Sequence, residues 1–318
     1  MQMSEFLTIS EPIVAFKEVQ KIDQKTGSAV TYQQTLDGVN TKFAIGLAHL
    51  GHSASVITRV GDDPLGVVVK NELLKQQVSI ENLEMTSDYN TTAKLVADEE
   101  RYLNDKYSAF KYLSQQQIQN VALHDVKVGH IAGSLSLISP QVDDAINILI
   151  QRLRDEKVVI TYAPMLYTIM PNITQEVVTK MNGYAKYAKY VLLTQEEAQQ
   201  LVGTDDFEIV ADYYFKNSSV TQVVIVGDIN KGVTGKVRGE VTASMPFTTK
   251  FDVAIRHQVE LGCMLGILSA VLEKMSLRAI LKRSVALTDI IIKEPVMTNG
   301  YPTSARLSEF YRANLVNN

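Results

Sequence analysis

The chain has 318 residues, 46% hydrophobic and 21% charged, with a net charge of −4, a balance that supports a large core and excludes a disordered chain. No uninterrupted apolar run approaches the ~18–20 residues of a membrane-spanning helix, and no Lys/Arg block marks a nucleic-acid footprint. The single cysteine, Cys263, excludes an internal disulfide framework, and with an opening (MQMSEFLTIS) that lacks a basic start and apolar stretch the expectation is a cytoplasmic protein.

Residues 6–16 mix β-branched and apolar side chains around Pro12 and predict a first strand. Residues 17–35 are polar, with a Thr26-Gly27-Ser28 turn, and predict a small exposed hairpin. A helical stripe follows at Phe43, Ala44, Leu47 and Leu50, stopped by Gly51. Residues 55–60 predict a strand, Gly61-Asp62-Asp63-Pro64 a turn, and 65–76 a helix. An exposed strand pair is expected at 92–97 and 101–103. Beyond it, strands at 127–132, 158–162, 190–193 and 222–226 alternate with helices at 141–156, 172–181, 195–202 and 207–217. A hairpin at 232–241 and helices at 261–274, 277–293 and 303–314 complete the chain. Repeated strand–helix units with apolar strands predict an α/β fold whose mainly parallel sheet is covered on both faces. The polar inserts at 17–35 and 91–113 are not needed by that core, so a lid or a dimer surface is expected there.

Three stretches carry a family resemblance. Residues 36–51, LDGVNTKFAIGLAHLG, are similar to the Gly-Gly-x-x-x-Asn-x-Ala…Leu-Gly sugar-binding signature of the ribokinase/PfkB carbohydrate kinases. Residues 56–66, VITRVGDDPLG, resemble that family's following strand and turn, and 190–203, YVLLTQEEAQQLVG, its Asn-x-x-Glu segment. The opening ISEPIVAF and the Tyr-rich stretch at 102–112 lean toward the 2-keto-3-deoxygluconate kinases. The resemblance implies a ribokinase-like three-layer core from 1–16, 36–90 and 114–318, with a β lid from 17–35 and 91–113. It further implies ATP and Mg²⁺ as cofactors, a sugar or sugar acid as substrate, and a homodimer paired through the lids.

Phosphoryl transfer to a sugar hydroxyl needs a base for the hydroxyl proton and donors for charge developing on the γ-phosphate. By resemblance, one Gly-Ala-Gly-Asp motif supplies both, its glycines exposing backbone amides and its Asp acting as base. Here Gln258-Val259-Glu260-Leu261 stands in that place, ahead of the helix carrying Leu265 to Glu273. Leu261 at the base position accepts no proton, and Glu260 brings a like charge toward the phosphate. Glu260 or Asp252 as a displaced base, and His257 as a proton acceptor, stay open as rescues.

The remaining site positions are eroded in the same way. On the substrate side the paired glycines become Asp37-Gly38, the signature amide becomes Lys42 (Asn40 lies two positions early), and Tyr102 is kept while a following arginine is Asn104. The arginine that would meet a substrate carboxylate is Leu166, which removes a charge-assisted contact. On the nucleotide side, Thr194 replaces the asparagine of the Asn-x-x-Glu segment and Glu197 keeps its glutamate, although Glu197 also suits any helix first turn. Gly227, Lys231 and Gly232 resemble the nucleotide-side turn or a plain hairpin. His49, His52, His124, His130 and His257 show no metal-ligand spacing with one another or with Cys263. The expectation is therefore a sugar-kinase fold with impaired or lost catalysis, a pseudokinase. An active kinase with a displaced base and a non-catalytic sugar-binding, nucleotide-binding or regulatory protein are its alternatives.

Overall fold

The computed structural model describes residues 4–19, 31–97, 100–166, 173–248, 251–252, 255–294 and 300–315. The turn expected at 26–28 and the first residue of the helix expected from 172 lie outside the described residues. The segment read as one strand is two, β1 (Phe6–Ile9) and β2 (Ile13–Glu18), which join different sheets. The break falls at Glu11-Pro12, where proline offers no N–H to a ladder.

β3 (Tyr32–Asp37) leads into α1 (Val39–His49), which carries the expected apolar stripe. β4 (Ala54–Gly61) and α2 (Pro64–Lys75) follow, the helix opened by the Asp63 side chain accepting the Gly66 N–H and by proline at its first position. β5 (Val78–Ser79) and β6 (Leu83–Thr86) are short additions at the sheet edge. β7 (Ala93–Ala97) and β8 (Glu100–Asn104) form the expected exposed pair. A short helix α3 (Gln115–Asn120) precedes β9 (Val128–Ala132), α4 (Pro140–Asp155), β10 (Val159–Ala163) and α5 (Gln175–Ala185). β11 (Tyr190–Thr194), α6 (Gln195–Val202), α7 (Phe207–Asn217) and β12 (Val223–Asp228) continue the alternation. β13 (Gly232–Val237) and β14 (Ala243–Pro246) are antiparallel, as a hairpin requires. Last come α8 (Arg256–Leu272), α9 (Leu277–Lys293) and α10 (Ser304–Leu315).

The large sheet has ten strands in the order β14-β13-β12-β11-β10-β9-β1-β4-β5, with β6 also on β4. From β12 to β5 every pairing is parallel. Its strands read as near-continuous apolar runs because helices bury both faces. One face packs on α1, α8 and α9 through Phe43, Leu47, Leu265 and Leu287. The other packs on α4, α5 and α7 through Ile146, Leu149, Met181 and Val210. The second sheet, ordered β3-β2-β7-β8, stands apart and half-exposed. His130 on β9 is buried against Phe6 and Phe43 and hydrogen-bonded through Nδ1 to Thr161 Oγ1 at 3.0 Å; burial pushes its pKa down to about 3. It is a core residue.

Parallel strands bring their C-terminal ends to one edge, and ligands of such sheets bind in the crevice there. Ser10 after β1, Gly61 of β4, Ala163 of β10, Thr194 of β11 and Asp228 of β12 all arrive at that edge.

Candidate functional site

One end of the crevice lies beside the small sheet. Gly38 caps α1 with φ +107, and a Cβ there would stand 2.2 Å from the Glu11 carbonyl oxygen, so glycine is required. Asp37 accepts the Gly38 N–H at 2.9 Å and a hydrogen bond from Lys94 Nζ at 3.0 Å, and pairs with Lys42 as well. Burial alone would raise the Asp37 pKa, but Lys42 and Lys94 hold it well below the usual carboxylate range. Ser10 and Thr41 share a hydrogen bond of 2.6 Å, and Asn40 Nδ2 donates to Thr8 Oγ1 and to the Ile9 carbonyl. Glu11 accepts from the Thr92 hydroxyl at 2.8 Å and the Ser108 hydroxyl at 3.4 Å, and burial raises its pKa. Of the residues predicted for the substrate, Gly38 and Lys42 belong to this group. Tyr102 and Asn104 are exposed on β8, and Leu166 is fully buried in the core. Sequence reasoning missed Glu11, Thr41 and Lys94. Only Glu11, just past the end of β1, gave a positional signal.

At the other end α6 begins with a capping box. Thr194 Oγ1 accepts the Glu197 N–H at 3.2 Å, and Glu197 Oε2 accepts the Thr194 N–H at 2.8 Å. Glu197 Oε1 accepts the Leu166 N–H at 2.8 Å, which ties β10 to α6. Burial pushes the Glu197 pKa up to about 7 against those backbone bonds. The turn after β12 is a hairpin: Asp228 faces Gly232 across the ladder, Lys231 is exposed and pairs with Asp228 at 3.2 Å. Gly232 has φ +125, and its absent Cβ would meet the Met245 carbonyl at 2.2 Å, so this glycine serves the β13–β14 approach. Gly227 lies at the crevice wall.

The largest correction concerns α8. The sequence places its start at Leu261, yet the helix begins at Arg256, so 258–261 lie inside it. Glycines are poor helix formers by about 1 kcal/mol, whereas Gln258 and Glu260 are good ones, so the helix extends backward through them. The Glu260 and Leu261 amides fall beyond the first four, the ones a helix leaves free, and have partners within it. Val259 is buried, and Leu261 is half-buried against the core. Gly262 and Gly266 serve helix packing: a Cβ would stand 2.5 Å from Thr288 Cα and 2.3 Å from Ser284 Cα on α9. Arg256 Nε donates to Glu260 Oε1 at 3.0 Å, and its Nη2 reaches Glu196 Oε1 at 2.6 Å, so one guanidinium joins α8 to α6. The other Glu260 oxygen, Oε2, is buried and has no hydrogen-bond partner among the described residues; His257 Nδ1 stands 3.7 Å away. Asp252 is exposed, its carbonyl accepting the Ile255 N–H at 3.1 Å.

Between the ends of β10–β12 and α8 lies a cavity of about 60 Å³. Its walls include Leu192, Ile225, Val233, Met264 and Ile267; Thr194, Glu196, Glu197, Asp228, Arg256 and Glu260 supply its polar groups. Among the described residues no three His, Cys, Asp or Glu side chains gather as metal ligands, and no helix is long and apolar enough to cross a membrane.

Residues 10–247 match the model of the pfkB family carbohydrate kinases. The chain is similar, at 23% identity over 89% of its length and 88% of the relative's, to a 2-dehydro-3-deoxygluconokinase of Bacillus subtilis (strain 168). Its fold is similar to that of a PfkB protein from Polaromonas sp. JS666, with a TM-score of 0.82, 20% identity, and 96% of this chain and 99% of that one covered. A putative ribokinase II from E. coli in complex with ATP and Mg²⁺ gives a TM-score of 0.80 at 19% identity, covering 98% and 99% of the two chains. The three-layer sheet, the separate small sheet and the matched span agree: this chain belongs to the pfkB family of carbohydrate kinases.

Proposed function

We propose that this chain is a sugar- or sugar-acid-binding member of the family that has lost phosphoryl transfer. The observation that carries this reading is the unbroken run of α8 through 258–261. An anion hole needs backbone amides without intrahelical partners, and a base needs a proton-accepting side chain at the crevice. Here two of those amides are bonded within the helix, Leu261 packs on the core, and Glu260 faces the cavity with a negative charge. ATP phosphates and their Mg²⁺ do not fit such a donor set. A displaced base gains no support: Asp252 is exposed, and Glu260 is tied to Arg256.

The polar group at the other end supports binding. Lys42 and Lys94 share the single carboxylate of Asp37, which leaves one positive charge for an acidic sugar. The small sheet acts as the lid over it, and its exposed Leu95, Tyr102 and Leu103 are the surface through which two copies pair. The protein works in the cytoplasm, where its lone thiol stays reduced.

The test is incubation with ATP, Mg²⁺ and 2-keto-3-deoxygluconate, ribose or fructose in turn. No turnover is expected, and rates of about 1–100 s⁻¹ would overturn the reading. A thermal shift with the sugars alone is expected, because a ligand of the native state raises stability by mass action.

A further inference from the structure

The polar group beside the small sheet is unbalanced in charge. Asp37 ends β3, Lys94 stands on β7 of the same sheet, and Lys42 comes from α1 of the core. Among the described residues Asp37 is the ion-pair partner of both lysines. One carboxylate needs one cation, so a second cation, its side chain only 19% exposed, stands here without an anion of its own. Taking a charge out of water is costly unless it is paired, and the surplus marks a place for a second anion. The Glu11 carboxylate at this end does not fill it: the Thr92 and Ser108 hydroxyls hold it, and among the described residues it pairs with neither lysine. The two oxygens of Asp37 divide their contacts. Oδ1 accepts the Gly38 N–H at 2.9 Å and pairs with Lys42, whereas Oδ2 takes Lys94 Nζ at 3.0 Å. Lys94 can therefore leave Asp37 while the contacts of Oδ1 stay in place.

We infer that Asp37 is a built-in competitor for the carboxylate of an acidic sugar. It holds Lys94 until the carboxylate of the ligand takes its place, and it keeps Lys42 and the Gly38 N–H throughout. The exchange sets one carboxylate against another, so an acidic ligand binds against an internal anion that a neutral sugar does not meet. The inference rests on the reading that this end of the crevice binds an acidic sugar, and it names how that binding is held back.

The experiment titrates 2-keto-3-deoxygluconate, and fructose as its neutral control, into the full-length parent and into Asp37→Asn by calorimetry. The amide oxygen still accepts the Gly38 N–H, but the side chain carries no charge for Lys94. Asp37→Asn is expected to bind the acid at least about tenfold more tightly than the parent, as one freed charge-assisted contact implies, with fructose unchanged. Asp37→Ser is expected to do the same and serves where the amide variant does not fold. Adding Lys94→Met to either is expected to abolish the gain. Equal or weaker binding of the acid by the Asp37 variants, a matching gain for fructose, or a gain that survives Lys94→Met would each overturn the inference. Binding by the parent without a gain in the variants strikes the competitor and leaves the sugar-acid reading standing. Binding by the variants alone strikes that reading for the parent and supports the competitor, and no binding by any of these proteins strikes both.

Discussion

Two neighbouring helices, α6 and α8, begin at the same edge of the sheet, and they begin in opposite ways. α6 opens on a reciprocal capping box between Thr194 and Glu197, with acidic side chains in its first turn. α8 opens on Ile255, with φ −101° and ψ 10° and no side-chain cap, followed at once by Arg256. An arginine at a helix N-terminus opposes the helix dipole. It is held there by a carboxylate from each helix, Glu196 and Glu260. The difference is one of continuity: α8 runs unbroken through 258–261, while the α6 start closes on its own capping box. The two starts are physically coupled through Arg256, so each can be perturbed against the other.

The largest expected effect belongs to α6. Glu197 has a folded pKa of about 7 against an ordinary value of 4.5, because burial penalises its charge. Between those two pH values the native protein holds a proton that the unfolded chain has released. Stability therefore falls as pH rises from 4.5 to about 7, and is level above that. At about 1.4 kcal/mol per unit the loss is about 3 kcal/mol. Glu197→Gln is expected to flatten this slope in urea titrations at successive pH values, while lowering the midpoint at acid pH because one backbone N–H loses its acceptor. An unchanged slope in the variant would assign the pH dependence elsewhere.

A smaller pair of substitutions compares the caps directly. Thr194→Ala is expected to cost about 1 kcal/mol, the usual worth of a capping hydroxyl. Ile255→Asn adds at α8 what α6 already has, and is expected to gain about 0.5 kcal/mol, offset in part by lost apolar packing. If both variants match the parent in thermal and urea midpoints, the contrast between the two starts has no energetic content.

How much of this was legible follows from the physics of each region. The alternation of apolar strands and striped helices announced the layered α/β core, because burial on both faces leaves its mark residue by residue. Pro12 was visible too, but its consequence, a change of sheet between β1 and β2, depends on distant pairing partners, Val128 for Phe6 of β1 and Ala93 for Val14 of β2. Glu197 could be matched to a motif from the sequence, yet its bond to the Leu166 amide could not, because it joins two strand ends through the fold. The start of α8 is hidden from motif matching because Gln258 and Glu260 are helix formers at positions where the resemblance implies glycines. Gly262 and Gly266 gave no sign of their packing role until Ser284 and Thr288 stood opposite them.

The smallest expected effect is the most informative about α8. Leu261→Asp alone restores a carboxylate but leaves the helix intact and Glu260 at the cavity, so no turnover with ATP and 2-keto-3-deoxygluconate is expected. Adding Gln258→Gly and Glu260→Gly weakens helix propensity by about 1 kcal/mol at each position, which favours a later helix start and frees the amides. It also releases Arg256 from one of its two carboxylates. The triple variant is expected to show turnover above the single variant, yet far below ordinary kinase rates, because leucine still stands at 166 where the family resemblance implies an arginine. Turnover from Leu261→Asp by itself would mean that the continuous helix is no barrier to phosphate binding, and the contrast between α6 and α8 would then concern stability alone.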